Sequence, residues 1–150
     1  MRRLAAALIF ACFPAIASAS GGFSCEADDE DVMLVLDGGV SRGMGSALFS
    51  FSGRIEVRSD QVLADLKTTE FGRDHVAQYW LDGDTMKLRL YRERAGDAPH
   101  GYVEAIVETA TGDDGNDHGE YIVAVYDMTD AVDGEVEPVQ FTGAVTCSVE

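Results

Sequence analysis

The chain has 150 residues, 27 acids against 11 bases and a formal net charge of −16, with hydrophobic residues making up 46%. That is one domain's worth of chain, with enough apolar residues for a core. The acidic field repels nucleic acid and anionic lipid. It would draw in a cationic protein or divalent ions, and at its blandest it keeps the protein in solution.

Residues 1–19 have the three parts of a secretory signal peptide. Arg2 and Arg3 form the positive start, Leu4 to Phe13 the apolar stretch, and Ala17-Ser18-Ala19 the small-residue cleavage site. The apolar stretch is short of the about 20 residues that cross a bilayer, and no later segment is longer, so no membrane span is expected. Two variants are disfavoured. Lipidation at Cys12 would cut the apolar region in half, with bulky Phe10 two residues before it. Twin-arginine export lacks the polar surroundings of such a pair. Cleavage after Ala19 by the ordinary Sec route, into a bacterial periplasm, is the expectation, leaving 20–150 as a single β domain.

Removing Arg2 and Arg3 takes the formal charge from −16 to −18. All nine remaining bases lie between Arg42 and Arg94, whereas residues 20–41 hold six acids and residues 95–150 thirteen, with no base in either. Cys12 leaves with the leader. Cys25 and Cys147 then sit near opposite ends of the domain, and in an oxidising compartment they form a structural disulfide. Such a bridge would draw the two acidic segments together and leave the molecule electrically two-sided.

Period-two alternation dominates the rest of the chain. Strands are expected at Phe23–Ala27 and Val32–Leu36, and the Asp37-Gly38-Gly39 run reads as a turn. Phe49, Phe51, Ile55 and Val57 share one parity and Ser50, Ser52, Arg54, Glu56 and Arg58 the other, a half-buried strand with a bend at Gly53. Val62, Leu63 and Leu66 fit a strand or one helical turn equally well. His75 to Arg92 reads as a hairpin turning at Asp82-Gly83. Its core face holds His75, Ala77, Tyr79, Leu81, Met86, Leu88 and Leu90, and its other face holds Val76, Gln78, Trp80, Thr85, Lys87 and Arg89. Further strands are expected at Tyr102–Thr109, Tyr121–Met128 and Val139–Val149. The turns between them fall at Gly96-Asp97, from Gly112 to Gly119, and at Asp133-Gly134.

About eight short strands imply an all-β fold, either a single small antiparallel barrel or a sandwich. Parity turns both cysteines inward, as suits a bridge from first strand to last. A barrel is favoured because closure removes exposed edges.

Few constellations carry chemistry. Asp113, Asp114, Asn116, Asp117 and Glu120 place oxygen ligands in a glycine-rich loop of the kind hard cations take, which makes calcium the metal to test. The loop departs from an EF-hand at its twelfth position, where Val125 replaces the bidentate Glu. His75, His100 and His118 are too scattered for a transition-metal site, and no other cofactor is implied. No nucleophile–base–acid spacing is visible, so an enzyme is not expected. The glycine runs precede strands and not helices, which removes a nucleotide-binding reading.

What remains is an aromatic and basic patch: Tyr79, Trp80, Lys87, Arg89 and Arg92. Trp, Tyr and Arg are the residues that most often anchor interfaces. The expectation is a binding or inhibitory protein with a macromolecular partner. At the level of architecture alone it resembles the bacterial periplasmic lysozyme inhibitors, small disulfide-bearing barrels whose Ser-Gly-x-x-Tyr loop is missing from this sequence. The alternatives are a lipocalin-like carrier that uses the barrel interior and, after it, an enzyme of unknown class.

Overall fold

A computed structural model of the chain describes residues 20–41, 47–82, 85–129 and 136–149. The expected signal peptide and the turn residues Gly83, Asp133 and Gly134 lie outside them. In chain order the strands are β1 (Ser20–Asp28), β2 (Val32–Ser41), β3 (Leu48–Val57), β4 (Thr68–Gly72), β5 (Val76–Asp82), β6 (Thr85–Glu93), β7 (Gly101–Thr111), β8 (Asp117–Asp127) and β9 (Val139–Val149). One short helix, α1 (Ala64–Lys67), precedes β4, and one 3₁₀ turn, Arg73–His75, follows it. All nine strands belong to a single antiparallel sheet of order β4-β3-β2-β1-β9-β8-β7-β6-β5, curled into a nearly closed barrel. The fold is therefore the barrel and not the sandwich.

First and last strands meet as expected. Cys25 lies directly opposite Cys147 in the β1–β9 ladder, and the two form a disulfide across a sequence separation of 122. The remaining gap falls elsewhere, between β4 and β5. These strands run in the same direction, β4 along Ser52–Glu56 of β3 and β5 along Thr85–Leu90 of β6. Together they act as one strand broken at Arg73–His75, which is why nine strands build what is close to an eight-stranded wall.

The break leaves part of the β4 edge without a neighbouring strand. Arg92 of β6 reaches across to donate to the Glu70 carbonyl, and the Gly72 amide donates to His75 Nδ1 at 2.9 Å. Side chains thus occupy backbone groups that would otherwise invite another strand.

Alternation along each strand fills the interior. Phe23, Cys25, Leu34, Leu36, Ile55, Phe71, Met86, Leu88, Leu90, Val103, Val107, Tyr121, Val123 and Val145 are all buried and form one continuous core. Tyr121 carries its hydroxyl into that core and donates to Asp29 Oδ2 at 2.5 Å, tying β8 to the turn between β1 and β2. Burial, and then the Asp29 carboxylate, push that hydroxyl well above the ordinary phenol range.

Three expectations are corrected, and one reading left open is settled. The Asp37-Gly38-Gly39 run is no turn but the middle of β2, because the Phe23 ring occupies the space above Gly38: a Cβ there would lie 2.2 Å from it. Phe49 points outward at 53% exposure, since a bulge between Gly39 and Val40 pairs Val40 with Leu48 and turns Leu48 inward in its place. The Val62–Leu66 segment resolves as the helical turn α1 with Val62 and Leu66 buried, and β4 follows it unannounced. In the hairpin, Asp82 pairs with Thr85 and not Leu81 with Asp84, and a bulge between Val76 and Gln78 pairs Val76 with Leu90. Val76 therefore packs on the core while Ala77 is exposed.

One buried cation organises the end of the barrel where β6 meets β7. The Arg94 side chain, only 5% exposed, makes ion pairs with Asp65 at 2.8 Å and Asp127 at 2.9 Å and donates to the Pro99 carbonyl. Its hydrogen bond, followed by those from Thr129, holds the Asp127 carboxyl down to about 2. A carboxyl depressed on folding stabilises the native state above its unfolded value of about 3.9, and the contribution is lost as pH falls towards the folded one. Stability measured by urea unfolding is thus expected to drop between about pH 4 and pH 2. Asp127→Asn should be less stable at neutral pH and show a weaker dependence across that window. An unchanged slope would contradict the assignment.

Candidate binding face

The hairpin register decides which members of the aromatic and basic patch share a face. Trp80 pairs with Lys87 and Gln78 with Arg89, so these four point outward, while Tyr79 pairs with Leu88 and turns inward. Tyr79 stacks on Phe23 with centroids 5.9 Å apart, and its buried hydroxyl has no hydrogen-bond partner among the described residues. Arg92 has the parity of Met86, Leu88 and Leu90, opposite buried Val103, and donates to the Glu70 carbonyl. The patch therefore splits: Trp80, Lys87 and Arg89 remain together, and Tyr79 and Arg92 serve the core and the strand break.

The ladders extend this face across three more strands. One row runs Gln78, Arg89, Ile106, Ile122 and Thr142, and the next runs Trp80, Lys87, Glu108, Glu120 and Ala144. Trp80 is 45% exposed and Ile122 39%. A groove of ≈ 510 Å³ lies between Trp80 and Ile106 with Lys87, Arg89 and Glu108 along it, within the roughly 300–1,000 Å³ usual for binding pockets.

The two bases do not make the face positive. Lys87 pairs with Glu108 at 3.1 Å and Arg89 with Glu104 at 2.5 Å. Glu120 lies directly opposite Glu108, and among the described residues no base pairs with it. Like charges directly opposed on a sheet repel. The wall thus sets Trp80, Ile106 and Ile122 among paired charges and a surplus carboxylate.

Below these rows stands an aromatic ladder that strand-by-strand reading did not assemble. Tyr91, Tyr102 and Tyr126, one each from β6, β7 and β8, have successive centroids 5.1 Å apart, and His100 lies 5.7 Å from Tyr126. Each tyrosine sits at an outward parity, and that was the available signal. The other outer wall, over β1 to β3, carries Glu26, Asp28, Asp37, Ser50 and Arg54 instead.

The members of the acidic loop have separate surroundings. Asp117 is buried and accepts from Thr111 Oγ1 at 2.5 Å. Asp114 faces His118 Nε2 at 2.9 Å and Asn116 Nδ2 at 3.2 Å. The His118 contact first, then Asn116, hold its carboxyl down to about 2. Asp113 is exposed and Glu120 belongs to the sheet wall. Among the described residues, no group of three or more His, Cys, Asp or Glu is gathered to hold a metal ion.

The histidines stay apart, His75 on Gly72, His100 on the tyrosines and His118 on the loop. Thr146 Oγ1 lies 3.4 Å from His118 Nδ1. That is beyond an ordinary O–H···N contact, and the histidine is exposed, so the Thr–His–Asp order there is a surface network.

The sheet order also places the charges. β2, β1, β9, β8 and β7 are consecutive neighbours, which joins the two base-free segments into one side of the barrel, with the base-bearing β3 to β6 on the other. No helix among the described residues is long and apolar enough to cross a membrane. Comparison with known proteins gives no match: no family model, no curated protein and no solved structure is similar to this chain.

Proposed function

We propose that this is an exported, periplasmic binding or inhibitory protein that acts by docking a macromolecular partner on the outer wall of β5 to β8. The observation that carries the reading is Trp80, the single tryptophan of the chain, held outward at a groove that Ile106 also lines, on a barrel whose interior is packed with its own side chains. A carrier needs room inside; a docking protein needs a rigid scaffold and an exposed anchor. The Cys25–Cys147 bridge supplies rigidity and suits an oxidising compartment. An exposed tryptophan at the side of a groove, with Ile106 across it, is the kind of surface that marks interaction sites.

Replacing Trp80 separates anchor from core. Trp80→Ala is expected to change unfolding stability by less than about 1 kcal/mol, as surface changes do, against about 3–5 kcal/mol for a core tryptophan. Bait protein added to periplasmic extract should capture a partner that Trp80→Ala loses and Glu26→Gln, on the opposite wall, keeps. Hydrogen exchange should then show protection confined to β5 to β8. Capture indifferent to Trp80, or protection over β1 to β3, would overturn the reading.

A further inference from the structure

Resting on that reading, the wall also indicates what kind of segment it takes. Its two bases are each committed to a carboxylate, Lys87 to Glu108 and Arg89 to Glu104. Glu120, set opposite Glu108 in the ladder, leaves two negative charges side by side for one ammonium. The neighbouring row offers Ile106 and Ile122, an apolar shelf one pair away. A carboxylate beside exposed aliphatic surface fits a long cationic side chain, which lays its methylenes on the shelf and brings its charge to the acid. Trp80 lies on the same row at the far side of the groove, and a tryptophan face is the best aromatic partner for a guanidinium.

We propose that this wall binds an arginine-bearing extended segment of a basic protein. The segment crosses the strands, with one guanidinium at Glu108 and Glu120 over Ile106 and Ile122 and a neighbouring arginine stacked at Trp80. The spacing is suitable. Trp80 and Glu120 are three strands apart, about 14 Å at the usual inter-strand distance, which about four residues of extended chain span. Arginine is preferred over lysine because its planar fork pairs with carboxylates and stacks on rings. The occupant's charge follows from the protein's own: no base follows Arg94 in the sequence, and the acidic strands β7 and β8 supply Glu108 and Glu120.

The probe is a hexa-arginine peptide, titrated against the exported protein at physiological ionic strength, with the hexa-citrulline peptide as its neutral isostere. The arginine peptide should bind at least about tenfold more tightly than citrulline, and Trp80→Ala should weaken it at least about tenfold. Glu120→Gln should weaken it about fivefold, while Glu26→Gln, the same charge change on the opposite wall, should move it less than about twofold. Equal losses in Glu120→Gln and Glu26→Gln would mean that bulk charge attracts the peptide, and the inference would fall. If Trp80-dependent capture of a protein persists without arginine binding, the docking face stands and the occupant is wrong. If Trp80→Ala changes neither capture nor peptide binding, both fall.

Discussion

Replacing Cys25 and Cys147 together by Ala is expected to cost about 4–5 kcal/mol, the loss for a bridge that closes a loop of more than 100 residues. The position of the bridge makes the effect large. The β1–β9 ladder has only four paired positions, Phe23 with Val149 through Glu26 with Thr146, whereas β7 and β8 pair from Gly101 to Thr111. The disulfide therefore reinforces the shortest joint in the sheet, between the two strands that lie farthest apart in sequence. Urea unfolding should show a much lower midpoint for the double variant, and a reducing agent should do the same to the native protein. An unchanged midpoint in both would show that the β1–β9 contact is held by its ladder and side chains alone.

A comparable loss is expected from one methyl group. At Gly119, an added Cβ would lie 1.9 Å from the Glu108 carbonyl oxygen and 2.7 Å from Thr109 Cα. Both are backbone atoms of the adjacent strand, so no rotamer change relieves the overlap; β7 and β8 must separate in the longest ladder of the barrel. Gly119→Ala should destabilise by about 3 kcal/mol or more, at the upper end for overpacking. Gly96→Ala is the contrast. Its φ of +91° strains any side chain, but nothing lies within 4 Å, so only the backbone cost of about 1–2 kcal/mol applies. Equal losses at the two positions would contradict the close approach of β7 and β8.

The same contrast explains what the sequence made legible. Inward and outward parity was readable wherever a strand ran uninterrupted. Trp80 falls outward even though the hairpin register differs by two residues from an Asp82-Gly83 turn, because a two-residue slip preserves the face. Thr68–Gly72 has only Thr69 and Phe71 buried, too short a period to read, and it exists because α1 and the Arg73–His75 turn bracket it. Gly38 and Gly39 carried the composition of a turn, and only the position of the Phe23 ring shows why a strand needs Gly38.

The binding face was half legible for a related reason. Tyr79 and Trp80 are adjacent in sequence and opposite in space, as alternation requires. The partners that neutralise Lys87 and Arg89 are Glu108 and Glu104, on a different strand whose register no local pattern encodes. Charge counted along the chain puts all nine bases that follow Arg3 within residues 42–94, nearly balanced there by eight acids. Charge counted across the sheet leaves Glu120 of the Trp80 wall, among the described residues, with no base paired to it.

Quenching of native tryptophan emission by acrylamide tests the central claim most directly, since Trp80 is the only tryptophan and its outward position carries the proposed docking face. A half-exposed ring on the outer wall predicts a red-shifted spectrum, quenching that approaches the level of the unfolded protein, and a blue shift with protection when a partner binds. Blue-shifted, quencher-resistant emission from the unbound native protein would place Trp80 in the interior and remove the face.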